Sequence, residues 1–315
     1  MVDHLFDHRD GLSDRLDQRP DPHTANRKER IGEMTPFTVQ YAVKRPPGCD
    51  RVLAPSGLAT PHAAATGFTV IGGEYRSVRE KTTGQVAQLI TCQDETLSLT
   101  YHFDGGQTAP YPKNLFQPQA SKYTRFADDL VAEAEDAAGT LEGVDRAIAI
   151  ACATAERFTY GHPTERFTDG HDAVPALGCG LTEGSCVDIN TYFLAALRAA
   201  GVAAGYLTGF YFPSEKGDTC TDGHCWVVTR IDGQTQEWDI AHHLKMGTRA
   251  IQPGLNPKPG FRAAVFHSMG LTFPEIDVHD IKALIEPVAI IDGTLQYFDE
   301  PEIRLTRPPI SAEPG

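Results

Sequence analysis

The stretch GSCVDINTYFLAALRAAG, residues 184–201, constrains this chain more than any other. Ile189, Phe193, Ala196, Leu197 and Ala200 recur at the spacing of one buried helical stripe, and Gly201 supplies a C-terminal stop. Cys186 stands where the helix begins, outside that stripe. The unpaired N–H groups and the macrodipole at a helix N-terminus favour negative charge, so a cysteine there is expected to have a depressed pKa and to carry more thiolate, the reactive form. The same N–H groups could hold an oxygen that turns negative when a thiolate attacks an acyl carbon.

A thiolate nucleophile needs a proton carrier. The next candidates along the chain are His224 in DGHCWVV and, as an orienting carboxylate, Asp239 in EWDIA. Both lie in segments that read as strands, HCWVVTRI and TQEWDIA, separated by a DG turn signal. A two-residue loop of Asp232 and Gly233 pairs Ile231 with Gln234 and sets Trp226 opposite Asp239, with His224 two residues along on the same face. A four-residue loop keeps that parity; a three-residue loop puts the two side chains on opposite faces.

Upstream, residues 34–110 read as a small antiparallel β-domain built from pieces such as GFTVIG, QVAQLITC and TLSLTYHF. In the last, Leu97, Leu99, Tyr101 and Phe103 alternate with polar neighbours. Residues 1–33 lack sustained periodicity and read as a disordered tail. After a Pro-rich connector, residues 121–139 and 142–158 carry helical patterns, with Cys152 on the apolar face of the second. Residues 159–184, rich in Gly, Pro, His and Thr, read as a long irregular loop. Beyond 245, DVHDIKALIE suggests a short helix and AIIDGTLQYF a hairpin, and residues 301–315 read as a frayed tail.

The net charge of −14 repels a phosphate backbone, so nucleic acid is not an expected partner. No run is apolar over the 18 or so residues of a membrane span, and no membrane is expected as partner. The seven cysteines are few and odd in number, which does not suggest a disulfide framework; the chain reads as cytoplasmic.

Three blocks together, GSCVDINTYFLAALRAAGV, GHCWV and EWDIA, resemble the bacterial transglutaminase-like superfamily of cysteine enzymes. The resemblance implies an α+β, papain-like fold in which a helix carrying the nucleophile packs on an antiparallel sheet carrying the other two residues. It implies a catalytic domain over residues 115–300, with Cys186 as nucleophile, His224 as general base and acid, and Asp239 orienting the imidazolium. The implied chemistry is cysteine-dependent acyl transfer on an amide or peptide carbonyl of a peptide or protein substrate, more often hydrolysis than cross-linking. No cofactor is expected, and the absence of an Asp-rich EF-type loop gives no case for calcium. Unlike many members, this chain has a second cysteine, Cys225, beside the histidine.

Other readings compete. The same fold could be a non-catalytic peptide- or protein-binding module, or Cys186 could form a thiol redox switch with Cys220 or Cys225. Zinc held by Cys179, Cys186, Cys220, Cys225 and nearby His162, His171 and His224 is disfavoured by loose spacing, so no metal ligand is assigned. A Cys179–Cys220 disulfide is disfavoured by the compartment. His242 and His243 read as surface residues, and Trp226 and Trp238 as core aromatics near the site.

Overall fold

The computed structural model describes residues 35–117 and 120–307. The tail expected over 1–33 lies outside the described residues. Six strands open the described chain: β1 (Pro36–Lys44), β2 (Arg51–Pro55), β3 (Ala64–Ile71), β4 (Gly73–Arg79), β5 (Val86–Cys92) and β6 (Thr96–Asp104). Leu97, Leu99, Tyr101 and Phe103 are all buried on one face of β6, as their period of two predicts.

The middle of the chain is mixed. It runs α1 (Asp128–Ala138), α2 (Gly143–Arg157), β7 (Phe158–Tyr160), β8 (Thr182–Gly184), α3 (Cys186–Ala199), β9 (Ala204–Pro213), β10 (Thr219–Cys220), β11 (Gly223–Ile231), β12 (Gln234–Trp238) and α4 (Ile240–Lys245). Six strands close it: β13 (Gly260–His267), β14 (Leu271–Phe273), β15 (Val278–Ile281), β16 (Val288–Ile291), β17 (Thr294–Tyr297) and β18 (Glu302–Thr306).

The expected α+β architecture is observed. An antiparallel sheet of order β12-β11-β9-β13 forms the middle layer. On one face α3 packs through Ile189, Phe193 and Leu197 onto Tyr206, Val227 and Trp238. Further along that face Phe210 and Phe212 join Tyr41, Tyr101 and other side chains of the N-terminal strands, while on the other face Leu207 meets Trp226. With cores on both sides, every residue of β9 is buried. For the same reason α3 buries more than the single stripe expected: α1 and α2 cover the side away from the sheet, and from Cys186 to Leu197 only Val187 escapes burial. Its end is a Schellman motif, with Gly201 at φ +77° and Val202 N–H bonding Leu197 O at 2.8 Å.

Two glycines position the site. Gly184, in the short parallel pair β7–β8 that leads into α3, has no room for a Cβ against the Phe158 ring. Gly209, paired with His224 across β9 and β11, lets the Ala263 backbone approach where a Cβ would collide with it.

The strand pairing divides the chain differently from the expected segments 34–110, 115–300 and 301–315. Strand β16, from the expected catalytic segment, pairs with β2, and β18, from the expected tail, pairs with both β1 and β10. Edge strands of the N-terminal sheets are closed by chain 235 to 268 residues away, a relation that no local pattern records. The helix expected in DVHDIKALIE is instead strand β15 followed by loop; Asp277 and Asp280, at φ +58° and +45°, break any helical run. The first helical pattern begins only at Asp128, because Ser121 and Thr124 close a turn before it. Residues 288–297 form the expected hairpin. Among the described residues, no helix is long and apolar enough to cross a membrane.

Candidate active site

Cys186 is the first residue of α3. Its entry is fixed by a capping box: the Ser185 amide and hydroxyl donate to Asp188 Oδ2 at 3.0 and 2.8 Å, and the Asp188 amide returns to the Ser185 side chain. Asp188 is fully buried and also meets Arg166 and, at 3.5 Å, Lys282. Burial pushes its carboxyl up, but those cations and the Ser185 bonds outweigh it and hold the group below its ordinary range. The first intrahelical bond runs from Ile189 N–H to Ser185 O, so the amides of Cys186 and Val187 precede the helical ladder.

Strand β11 brings His224 alongside. Asp232 and Gly233 both have positive φ, +50° and +76°, the conformation of a two-residue hairpin turn, and Ile231 pairs with Gln234 as that turn requires. Asp239 then follows the last paired residue of β12 and caps α4, accepting from the His242 amide at 3.0 Å. His224 Nε2 lies 2.7 Å from Asp239 Oδ2, which leaves Nδ1 as the nitrogen available to Cys186. The structure therefore brings Cys186, His224 and Asp239 together.

The electrostatics are those of a charged pair. A hydrogen bond from Cys225 is the largest influence on Cys186; burial opposes it, but the charge and hydrogen bond of His224, with Lys245 further off, leave the thiol well below its ordinary range. Burial pushes His224 down, and the charges of Asp239 and Cys186 more than restore it, so its pKa is raised. Asp239 is held well below the carboxylate range because His224, Arg262 and His242 outweigh its burial. Cys225 goes the other way, raised by burial and by the neighbouring Cys186 charge, and stays a thiol.

Three residues here escaped the sequence reading. Arg262, in β13, donates to Asp239 Oδ2 and is buried; its Nε donates to Asn256 at 3.0 Å, and its guanidinium lies 4.9 Å from the Trp226 ring. An arginine inside the apolar run FRAAVF was the available signal, since a buried guanidinium requires a buried anion. His242 and His243, read as surface, are buried. His243 Nδ1–H donates to Asp239 O at 2.8 Å, and His242 stacks on His224. The surface reading failed because α4, immediately after Asp239, packs against α2, α3 and β7 and leaves both rings buried.

The remaining assignments fall as follows. Trp226 and Trp238 are buried core aromatics, with Trp238 Nε1 donating to Thr229 at 2.9 Å. Cys152 is half-buried against the helical core. All seven cysteines are free; Cys179 is exposed and Cys220 buried. His224, Asp239 and His242 lie close enough to share a cation, but Arg262 already supplies one at that point, bonding both Asp239 and His242 Nδ1.

Cys186 opens onto two cavities that share Asp222 and Gly223, one of about 350 Å³ toward Arg166, Lys282 and Glu286, the other of about 110 Å³ toward Tyr160, Tyr211 and Lys245. A cleft with the thiolate at its waist can admit an extended chain from either side.

Residues 124–239, which end on Asp239, match the model of the transglutaminase-like superfamily core. Among solved structures, a proposed cysteine protease from Cytophaga hutchinsonii is similar at 14% identity over 86% of this chain and 97% of its own, with a TM-score of 0.46. The periplasmic domain of TgpA from Pseudomonas aeruginosa is similar at 12% identity over 70% of this chain and 92% of its own, with a TM-score of 0.35. No curated protein matches the chain in sequence.

Proposed function

The chain carries a transglutaminase-like superfamily core over residues 124–239, and from that premise we propose that it is a cysteine-dependent acyl-transfer enzyme acting on an amide or peptide carbonyl, with hydrolysis as its outcome. One observation carries the reading: a cysteine at a helix N-terminus, hydrogen-bonded to a histidine whose far nitrogen is fixed by a buried carboxylate.

The Cys186 thiolate attacks the carbonyl carbon, forming the S–C bond as the carbonyl π-electrons move to oxygen. The amides of Cys186 and Val187, which precede the helical ladder, receive that oxygen. Collapse breaks the C–N bond, and the leaving amine takes its proton from His224 Nδ1. Water then attacks the thioester, giving a proton back to His224 and releasing the acid and the thiolate. Asp239 keeps the imidazole oriented throughout, and Arg262 keeps Asp239 charged and in place.

The test is to quench the protein in acid while it turns over a panel of peptide amides and esters, and to weigh it. An acyl adduct on Cys186 that hydroxylamine converts to a hydroxamate, lost in Cys186→Ala, supports the reading. Amide hydrolysis that survives Cys186→Ala, or no adduct across the panel, overturns it. A thiol redox switch is a second reading, favoured by the hydrogen bond between Cys186 and Cys225. It predicts a reversible Cys186–Cys225 disulfide and no acyl adduct.

A further inference from the structure

The larger cavity is lined by a carboxylate that the mechanism does not use. Glu286 lines that cavity with Cys186, is about nine-tenths buried at 9% exposure, and leaves Oε2 without a hydrogen-bond partner. Among the described residues, it receives a bond from the Gly223 backbone alone. The cations on the cavity wall do not supply the missing partner, because Arg166 and Lys282 are both drawn onto Asp188. Asp222, from the loop before β11, and Tyr297, from β17, line the same cavity and bring no positive charge to Glu286. Buried carboxylate oxygens are costly to leave unmet, and a wall of two carboxylates beside a phenol ring suits an ammonium group.

We propose that this cavity holds a subsite for a primary ammonium group of the substrate, bound by Glu286 beside Tyr297, so that the acyl group presented to Cys186 belongs to an amine-bearing peptide. The assignment rests on Cys186 being the nucleophile. Burial, reinforced by the charge of Asp222, pushes the Glu286 carboxyl up to about 7. An ammonium group beside Glu286 favours the carboxylate and expels the proton that burial holds there.

The test uses charged thiol reagents on the full chain. Rates of modification of Cys186 by the cationic 2-aminoethyl methanethiosulfonate and the anionic 2-sulfonatoethyl methanethiosulfonate are read by peptide mass. Each is divided by the rate of the same reagent at Cys179, the exposed cysteine. The cation-to-anion ratio at Cys186 is expected to exceed that at Cys179 by about tenfold, to rise between about pH 6 and about pH 8, and to collapse in Glu286→Gln. A Cys186 that reacts readily but without that preference, or that keeps it in Glu286→Gln, overturns the subsite alone. A Cys186 inert to both reagents overturns the nucleophile with it. Protection of Cys186 by cadaverine identifies a lysine-type side chain as the ammonium source, protection by glycinamide an α-amino group, and protection by neither overturns the assignment.

Discussion

His224 and His242 stack with ring centroids 4.3 Å apart and planes 6° from parallel, and both reach the same oxygen of Asp239. Two imidazolium ions cannot share that geometry. The burial that acts on both rings is overcome at His224 by Asp239 and by Cys186, while His242 is pushed down to about 3. Arg262 donates to His242 Nδ1 at 3.0 Å, which requires an unprotonated nitrogen there, and this decides its 2.9 Å approach to Asp239 Oδ2 as a contact rather than an ion pair. One ring carries the proton and its neighbour stays neutral.

His242 therefore makes stability depend on pH. Its folded pKa is depressed below the unfolded value of about 6.5, so in acid the unfolded chain takes up a proton that the folded protein refuses. Its contribution is intact above that value and is lost as pH falls toward the folded pKa. Urea denaturation at about pH 7 and about pH 5 should show a loss of about 2 kcal/mol from this residue, absent from His242→Gln, which keeps an acceptor for Arg262. Equal pH dependence in the two proteins would show that His242 is protonated in the fold.

Arg262 and Asp239 form a buried pair. Replacing Asp239 by Asn strands the guanidinium and should cost about 3 kcal/mol in unfolding free energy. The double variant Asp239→Asn with Arg262→Met should recover part of that stability, by the same argument, without recovering thiol reactivity. Additive losses in a double-mutant cycle would mean that the two side chains do not act as a pair.

Cys225 should matter through its hydrogen bond rather than through chemistry of its own. With its thiol raised and buried, it donates to the Cys186 thiolate. Cys225→Ala should shift the alkylation profile of Cys186 to higher pH while leaving the protein folded, because an apolar residue of smaller volume replaces a buried thiol. An unshifted profile would remove Cys225 from the account of how the thiolate is held.

The parts of this site that the sequence disclosed are local. The start and stop of α3 and the Asp232-Gly233 turn each depend on a few neighbouring residues. The turn fixes the register that carries His224 to Asp239, because a two-residue loop admits only one parity. What stayed hidden is nonlocal. Arg262 lies 23 residues beyond Asp239 on a strand introduced by a Pro- and Gly-rich loop, and Glu286 reaches the cavity only because β16 pairs back onto β2. Strand partners so far apart leave no periodicity to read, and a polar side chain in an apolar run shows that a partner exists without showing where.

The most direct measurement is the rate of iodoacetamide labelling of Cys186 against pH, located by peptide mapping, in the native protein and in His224→Ala. The account predicts that Cys186 is the fastest-reacting of the seven cysteines below about pH 7 and that removing His224 abolishes this advantage, moving its profile toward an ordinary thiol near about 8.5. A profile of that ordinary kind in the native protein, or one indifferent to His224, would contradict the thiolate–imidazolium pair and the enzyme reading built on it.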